Sequence, residues 1–139
     1  MTVNRRELKS LAAARWIDCK VLFDAGRFGG AYYMGGYAVE CALKACVAKQ
    51  VRKSDFPDKT TVLASYTHDL AKLVRVARLT NMLAEDIRSD SVLEFNWSTV
   101  KDWSEESRYE NRGKQPTADL LSAIGDPSHG VMEWVKQHW

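Results

Sequence analysis

The stretch from Gly29 to Lys44, GGAYYMGGYAVECALK, constrains the fold more than any other part of the chain. Glycine pairs at Gly29-Gly30 and Gly35-Gly36, with Ala31, Ala38 and Ala42, leave room for a neighbouring element to come close. Tyr32, Tyr33 and Tyr37 add large flat contact area, each with a hydroxyl that needs a partner when buried. The only acid and the only amine here are Glu40 and Lys44, at i, i+4 with the acid nearer the N-terminus. That orientation supports a helix. The segment is expected to be the central helix of a packed bundle, contacted on more than one side.

A chain of 139 residues is about one ordinary domain, long enough for a single core. The net charge of +2 is too small to mark a nucleic-acid or membrane surface by itself. Basic residues gather at Arg5, Arg6 and Lys9 and again at Lys49, Arg52 and Lys53, where solvated helix ends are the expected reading. Cys19, Cys41 and Cys46 are an odd number without metal-ligand spacing, all in apolar helical stretches. Buried reduced thiols and a cytoplasmic address are therefore expected. The N-terminus, MTVNRRELKS, lacks the apolar core of a signal peptide, and no run approaches the ~20 apolar residues of a membrane span. No membrane association is expected.

Three prolines, Pro57, Pro116 and Pro127, leave long stretches free for helix. Leu8, Leu11, Ala12, Cys19, Leu22 and Phe23 recur at near-helical intervals from about Asn4 to Ala25, with Arg15 interrupting the stripe. Gly26, Gly29 and Gly30 predict a break, followed by a second helix from about Ala31 to Arg52, so that the two form an αα-hairpin. Ser54 to Thr67 reads as a loop. A third helix is predicted from near His68, with Leu70, Leu73, Val74 and Ala77 on one face. Thr80 is placed to cap a short helix holding Met82, Leu83 and Ile87, and Ser91 with Glu94 forms a capping-box pattern before Phe95 and Trp97. Thr117 after Pro116 predicts another N-cap, leading into Leu120, Leu121 and Ile124. Asp126-Pro127 either starts the final helix, which carries Val131, Trp134 and Val135, or kinks a longer one. With no strand-like alternation, the predicted fold class is all-α, an antiparallel bundle of four to five main helices with short additional ones.

His68, His129 and His138 are all the histidines, and none has a second ligand at metal spacing, so neither a metal site nor a cofactor is expected. His68, at a helix start and followed by Asp69, reads as a local capping residue. There is no P-loop, no dinucleotide fingerprint and no G-x-S-x-G elbow. Trp16, Trp97, Trp103, Trp134 and Trp139 are spread along the chain, which favours core and interface packing over a base-stacking groove. The polar run from Trp103 to Lys114, WSEESRYENRGK, is the second stretch with chemical content. Arg108 beside Tyr109 suits gripping a phosphate and stacking on a base. The alternative is an inward Tyr109 that anchors the loop, with Arg108 paired to a carboxylate such as Glu40.

These residues, in this order, resemble the HEPN domain family (higher eukaryotes and prokaryotes nucleotide-binding). The resemblance rests chiefly on Ala31 to Tyr33, Gly36-Tyr37, Glu40, Leu43 and Lys44 in the second helix. His68 to Leu70, Arg108-Tyr109 and a tryptophan-bearing last helix follow in the family's order. It implies one HEPN-like helical domain over residues 1–139. It also implies a homodimer, a nucleotide or RNA ligand, and a place in defence or toxin–antitoxin systems, with a protein partner such as a nucleotidyltransferase.

Many relatives are metal-independent ribonucleases with an R-x4-6-H motif, in which the arginine holds the phosphate and the histidine moves protons. This chain departs from that motif. The permitted histidine positions after Arg108 hold Gly113, Lys114 and Gln115, and those after Arg112 hold Thr117, Ala118 and Asp119. The expectation is a non-catalytic, dimeric HEPN-like domain that binds a nucleotide, RNA or a protein partner. Arg108, Tyr109 and Glu40 are expected to line its polar pocket, with Arg112 and Lys114 at the edge. The alternatives are a ribonuclease with a rearranged site, to which His68 or His129 arrives from elsewhere in the fold, and a purely structural or accessory subunit.

Overall fold

Asn4 sets the start of the first helix. Its side chain accepts from the Glu7 amide at 2.8 Å, while the Glu7 carboxylate accepts from the Asn4 amide at 3.2 Å, a reciprocal capping box. In the structure, a computed structural model that describes residues 4–52 and 59–139, helix α1 runs from Arg5 to Asp24. It closes through Gly26, whose φ of 76° lies in the left-handed region that glycine enters without a Cβ penalty. The Arg27 amide reaches back to the Leu22 carbonyl at 2.8 Å.

Only Gly26 breaks the chain. Helix α2 starts at Phe28, three residues before the predicted start, and runs to Arg52 with Gly29 and Gly30 inside its first turn. Gly29 suits this position because a strand of loop passes over it: a Cβ there would lie 3.4 Å from the Glu110 carbonyl oxygen.

Helix α2 is the centre of the molecule, packing against α1 and against the later segments Leu70–Val76, Glu105–Tyr109, Lys114–Gly125 and Val131–Lys136. Ala31, Ala38, Val39, Ala42, Leu43 and Ala45 are fully buried. At Gly36 the buried Trp103 indole lies so close that a Cβ would fall 2.1 Å from its ring. Apolar burial of this kind, at roughly 25 cal/mol per Å², holds the bundle together. Trp103 and Trp134 are buried, and Trp16, Trp97 and Trp139 pack half-buried against the core, so all five serve packing.

The remaining elements are α3 (Lys59–Ala64), α4 (Leu70–Val76), α5 (Thr80–Ser89), α6 (Ser91–Val100), a 3-10 turn (Glu105–Tyr109), α7 (Lys114–Gly125) and α8 (Val131–Lys136). The fold is all-α, a bundle with short extra helices, and the described residues contain no strand. Leu70, Leu73, Val74 and Ala77 are buried as their spacing predicted. No helix among the described residues is long and apolar enough to cross a membrane.

Several helix starts differ from expectation, each for a local reason. Part of the predicted loop is helix α3, and residues 54–58 of it lie outside the described residues. Asp69, not His68, caps α4, accepting from the Lys72 amide at 3.0 Å. Thr80 is the first residue of α5 and caps nothing, since the preceding Leu79 holds the cap position. Asp90 displaces Ser91 as the cap of α6, its carboxylate accepting from the Val92 and Leu93 amides at 3.1 and 3.0 Å. Thr117 is buried within α7, which begins after Gly113, and its hydroxyl donates to the Gly113 carbonyl at 2.8 Å. Asp126 caps a turn, accepting from the Ser128 and His129 amides at 2.9 Å each, and α8 starts only after Gly130. In the Asp69 and Asp90 cases a carboxylate in extended backbone wins the orphan amides from a neighbouring weaker candidate.

Candidate functional site

Glu40 sits on the buried side of α2 and is only 2% exposed. A carboxylate there needs partners on each side. One turn further along, the Lys44 Nζ lies 3.2 Å from its Oε2. From α4's approach, the His68 Nδ1 lies 3.0 Å from Oε2 and 3.1 Å from Oε1. Because Asp69 has taken the cap of α4, the His68 imidazole is released from any local role and turns toward α2.

The opposite ring nitrogen, Nε2, meets the Glu105 Oε2 at 2.6 Å. Glu105 opens the 3-10 turn, whose start is capped by Ser104, with the Ser104 Oγ accepting from the Glu106 amide at 3.2 Å. The second Glu105 oxygen, Oε1, lies 3.9 Å from the Arg108 Nη2. Ionised carboxylates only accept hydrogen bonds, so satisfying both contacts of His68 requires a donor at each ring nitrogen. Lys44, Glu40, His68, Glu105 and Arg108 thus form an alternating line of donors and acceptors from buried α2 to the surface.

At the outer end the Arg108 guanidinium stacks over the Tyr109 ring, 4.8 Å from its centroid. Tyr109 raises the Arg108 guanidinium further above its ordinary value, with Glu105 adding a smaller effect, so the cation is never in question. Tyr109 is 77% exposed. The inward, loop-anchoring tyrosine is therefore overturned, and so is direct pairing of Arg108 with Glu40. Glu40 is too deep for it, and Lys44 and His68 already occupy its oxygens.

Arg112 belongs to a neighbouring cluster. It pairs with Glu110 and lies over the Tyr32 ring, 4.7 Å from the centroid. Lys114 is exposed at the start of α7 and makes no ion pair among the described residues. Of the five residues singled out from the sequence, Arg108 and Tyr109 are adjacent at the surface. Glu40 is linked to them only through His68 and Glu105, while Arg112 and Lys114 lie further along the same connection.

Glu105 is the residue that sequence reasoning missed, and His68 was named only as a cap or for a rearranged ribonuclease site, not as a partner of Glu40. Asp69 beside His68 was the available signal: a stronger cap next door leaves an imidazole free for other work. Nothing in the spacing of residues 40, 68 and 105 announces that they meet.

Behind the line of charges, Tyr33 and Tyr37 stack at 5.9 Å with an interplanar angle of 15°, and Tyr33 lies 5.9 Å from Trp103. Burial, followed by the neighbouring Cys41 and Glu40, raises the Tyr37 phenol above its ordinary value, so it is a neutral wall. The three cysteines are free and buried. Burial pushes Cys19 and Cys46 up to about 12 and Cys41 to about 11, which removes them as nucleophiles near neutrality.

Among the described residues no three His, Cys, Asp or Glu side chains are grouped to hold a metal ion. His68 lies between its two carboxylates, so the three do not converge on one point. Two surface clefts lie elsewhere. One is lined by Asp86, Asp90, His129, Glu133 and Trp134, and another lies beside Lys72 and Arg75. Arg108 and Tyr109 line neither of these clefts and lie at the surface. Comparison with protein-family models, with curated proteins and with solved structures finds no match to this chain.

Proposed function

We propose that this chain is a non-catalytic binding module whose Arg108–Tyr109 face takes a phosphate-bearing ligand, a nucleotide or single-stranded RNA. One observation carries the reading: Arg108 is stacked on an exposed tyrosine while its one carboxylate partner among the described residues stands 3.9 Å away. A guanidinium in that state keeps most of its donors for a phosphate, and an exposed ring offers a face to a base. Arg112 and Lys114 extend the cationic edge along the same connection. The resemblance to HEPN domains supports the same ligand class and a homodimer, which the mass of the protein in solution tests directly.

Titration with adenosine monophosphate and with a short labelled RNA tests the site. Arg108→Ala and Tyr109→Ala should each weaken binding by about tenfold or more, the scale of one charge-assisted contact or one stacked base. If both variants bind as the wild type does, the ligand site is not here.

A second reading, a metal-independent ribonuclease, is favoured by one specific observation. His68 reaches the Arg108 neighbourhood through Glu105, bringing a histidine near an arginine without the sequence motif. In that reading Arg108 holds the phosphate and the His68 Nε2 exchanges a proton with the 2′-hydroxyl or the leaving oxygen. Incubation of mixed RNA with the protein in a metal chelator decides between the two: cleavage lost in both His68→Ala and Arg108→Ala would select the enzyme.

A further inference from the structure

The Glu105 carboxylate has an unusual position among the charges of this face. Its two oxygens are divided between two cationic or donating side chains from different parts of the chain, Oε2 to the His68 Nε2 at 2.6 Å and Oε1 toward the Arg108 Nη2 at 3.9 Å. The other acid of the turn, Glu106, makes no ion pair among the described residues. The donors on either side of Glu105 are held independently of it. His68 is fixed from behind by the buried Glu40, which contacts Nδ1 with both oxygens and is itself held by Lys44. Arg108 is held by its stack on Tyr109. Removal of the Glu105 charge would therefore leave an imidazole N–H and a guanidinium facing the same space.

We infer that Glu105 is an internal stand-in for the ligand's phosphate. It occupies the anion position between His68 and Arg108 and must swing aside before a phosphate monoester or diester can take both donors. This rests on the reading of the Arg108–Tyr109 face as a phosphate site and adds to it a second anchor, His68, and a competitor, Glu105. A phosphate presents two oxygens in the same fork as a carboxylate, with more negative charge, so it fits the place Glu105 vacates. Glu105 is suited to leaving. It is about a third exposed, lies on a single 3-10 turn, and its contact to Arg108 is long. In the unliganded protein it neutralises the face. It also sets a threshold for ligand charge: a singly charged anion gains little by replacing it, and a dianion gains more.

The test is binding of adenosine monophosphate and of inorganic phosphate, by calorimetry at low ionic strength, to the wild type and to Glu105→Gln, Glu105→Ala, Arg108→Ala and the Glu105→Gln/Arg108→Ala double variant. Circular dichroism checks that each is folded. Glu105→Gln keeps the shape of the turn and should tighten both ligands by about tenfold, the effect of removing one like charge beside a partly exposed site. Glu105→Ala should do the same, the gain should shrink as potassium chloride is raised, and the double variant should lose it.

Ligand affinity that is unchanged or weakened in both Glu105 variants, but lost in Arg108→Ala, would overturn the stand-in and leave the phosphate site intact. Binding that ignores Arg108→Ala would overturn both. Absence of binding in the wild type with measurable binding in Glu105→Gln would support the inference in its strongest form, whereas absence in every variant would overturn both.

Discussion

His68 Nδ1 lies 3.0 Å from the buried Oε2 of Glu40, and this contact joins the core of the bundle to its polar face. Glu40 is almost wholly buried, so its charge depends on Lys44 and His68 to hold it. Glu40→Gln replaces one acceptor oxygen by an NH2 group that faces two donors. Since Lys44 and His68 are themselves partly exposed, the expected loss is about 1–3 kcal/mol rather than the larger cost of an orphaned deep charge. Urea denaturation measures it, and an unchanged midpoint would show that Glu40 is not a structural anchor.

Gly36 and Trp103 provide a packing test. A Cβ at residue 36 would fall 2.1 Å from the indole, and the ring is buried. Gly36→Ala should therefore destabilise the protein by about 1–3 kcal/mol or more, despite alanine's better helix propensity. The same variant should disturb the 3-10 turn that follows Trp103, and with it the Glu105–His68 contact. Thermal unfolding measures the first effect, and the amide chemical shifts of residues 104–109 report the second.

Arg78 closes α4 with φ at 62°, the left-handed position that L-residues other than glycine occupy at a cost. The Leu79 amide bonds to the Val74 carbonyl at 3.0 Å around it, the wrap that ends a helix. Arg78→Gly is expected to stabilise the protein by about 0.5–1 kcal/mol, the relief of the strained backbone less glycine's added chain entropy. A lower melting temperature would mean that the Arg78 side chain makes a contribution larger than the strain.

The pair His129 and Asp90 ties the start of α6 to the turn before α8, with Nδ1 and Oδ2 2.7 Å apart. The hydrogen bond to Asp90 raises His129, and the same bond, with the Leu93 and Val92 amides, lowers Asp90. The stabilisation from His129 is fully present below its unfolded value, near 6.5, and is lost as pH rises through its raised folded value. The part from Asp90 is present above about 3.9 and is lost as pH falls through its lowered folded value. The stability difference between wild type and His129→Gln should therefore be largest at about pH 4–6.5 and shrink on both sides. A difference that is flat from pH 4 to 9 would remove the ion pair from the account of stability.

Helix content and the central place of α2 were legible in the sequence because both follow from local pattern. The small residues and tyrosines of Gly29 to Lys44 have one good use, close packing inside a bundle, and the apolar spacing of Leu70, Leu73, Val74 and Ala77 fits only a helix face. Helix ends were read less well. Asp69 and Asp90 took the caps that His68 and Ser91 seemed suited to, because capping depends on which residue adopts extended backbone beside the first free amides.

Arg108 and Tyr109 were legible as a pair because adjacent residues need no tertiary structure to meet. Their orientation was not: whether Tyr109 points in or out is decided by the packing around the turn, and it stands exposed.

From the sequence alone come the helices, the core-forming face of α2, the free thiols and the absence of an R-x4-6-H motif. Only the tertiary structure joined Glu40, His68, Glu105 and Arg108. These side chains come from α2, the approach to α4 and the 3-10 turn, and each meets its partner because the packing of those elements leaves a buried carboxylate with no other way to be satisfied. Short-range pattern records which residues prefer a helix. The pairing of charges across the bundle is set by burial, and burial exists only once the chain has folded.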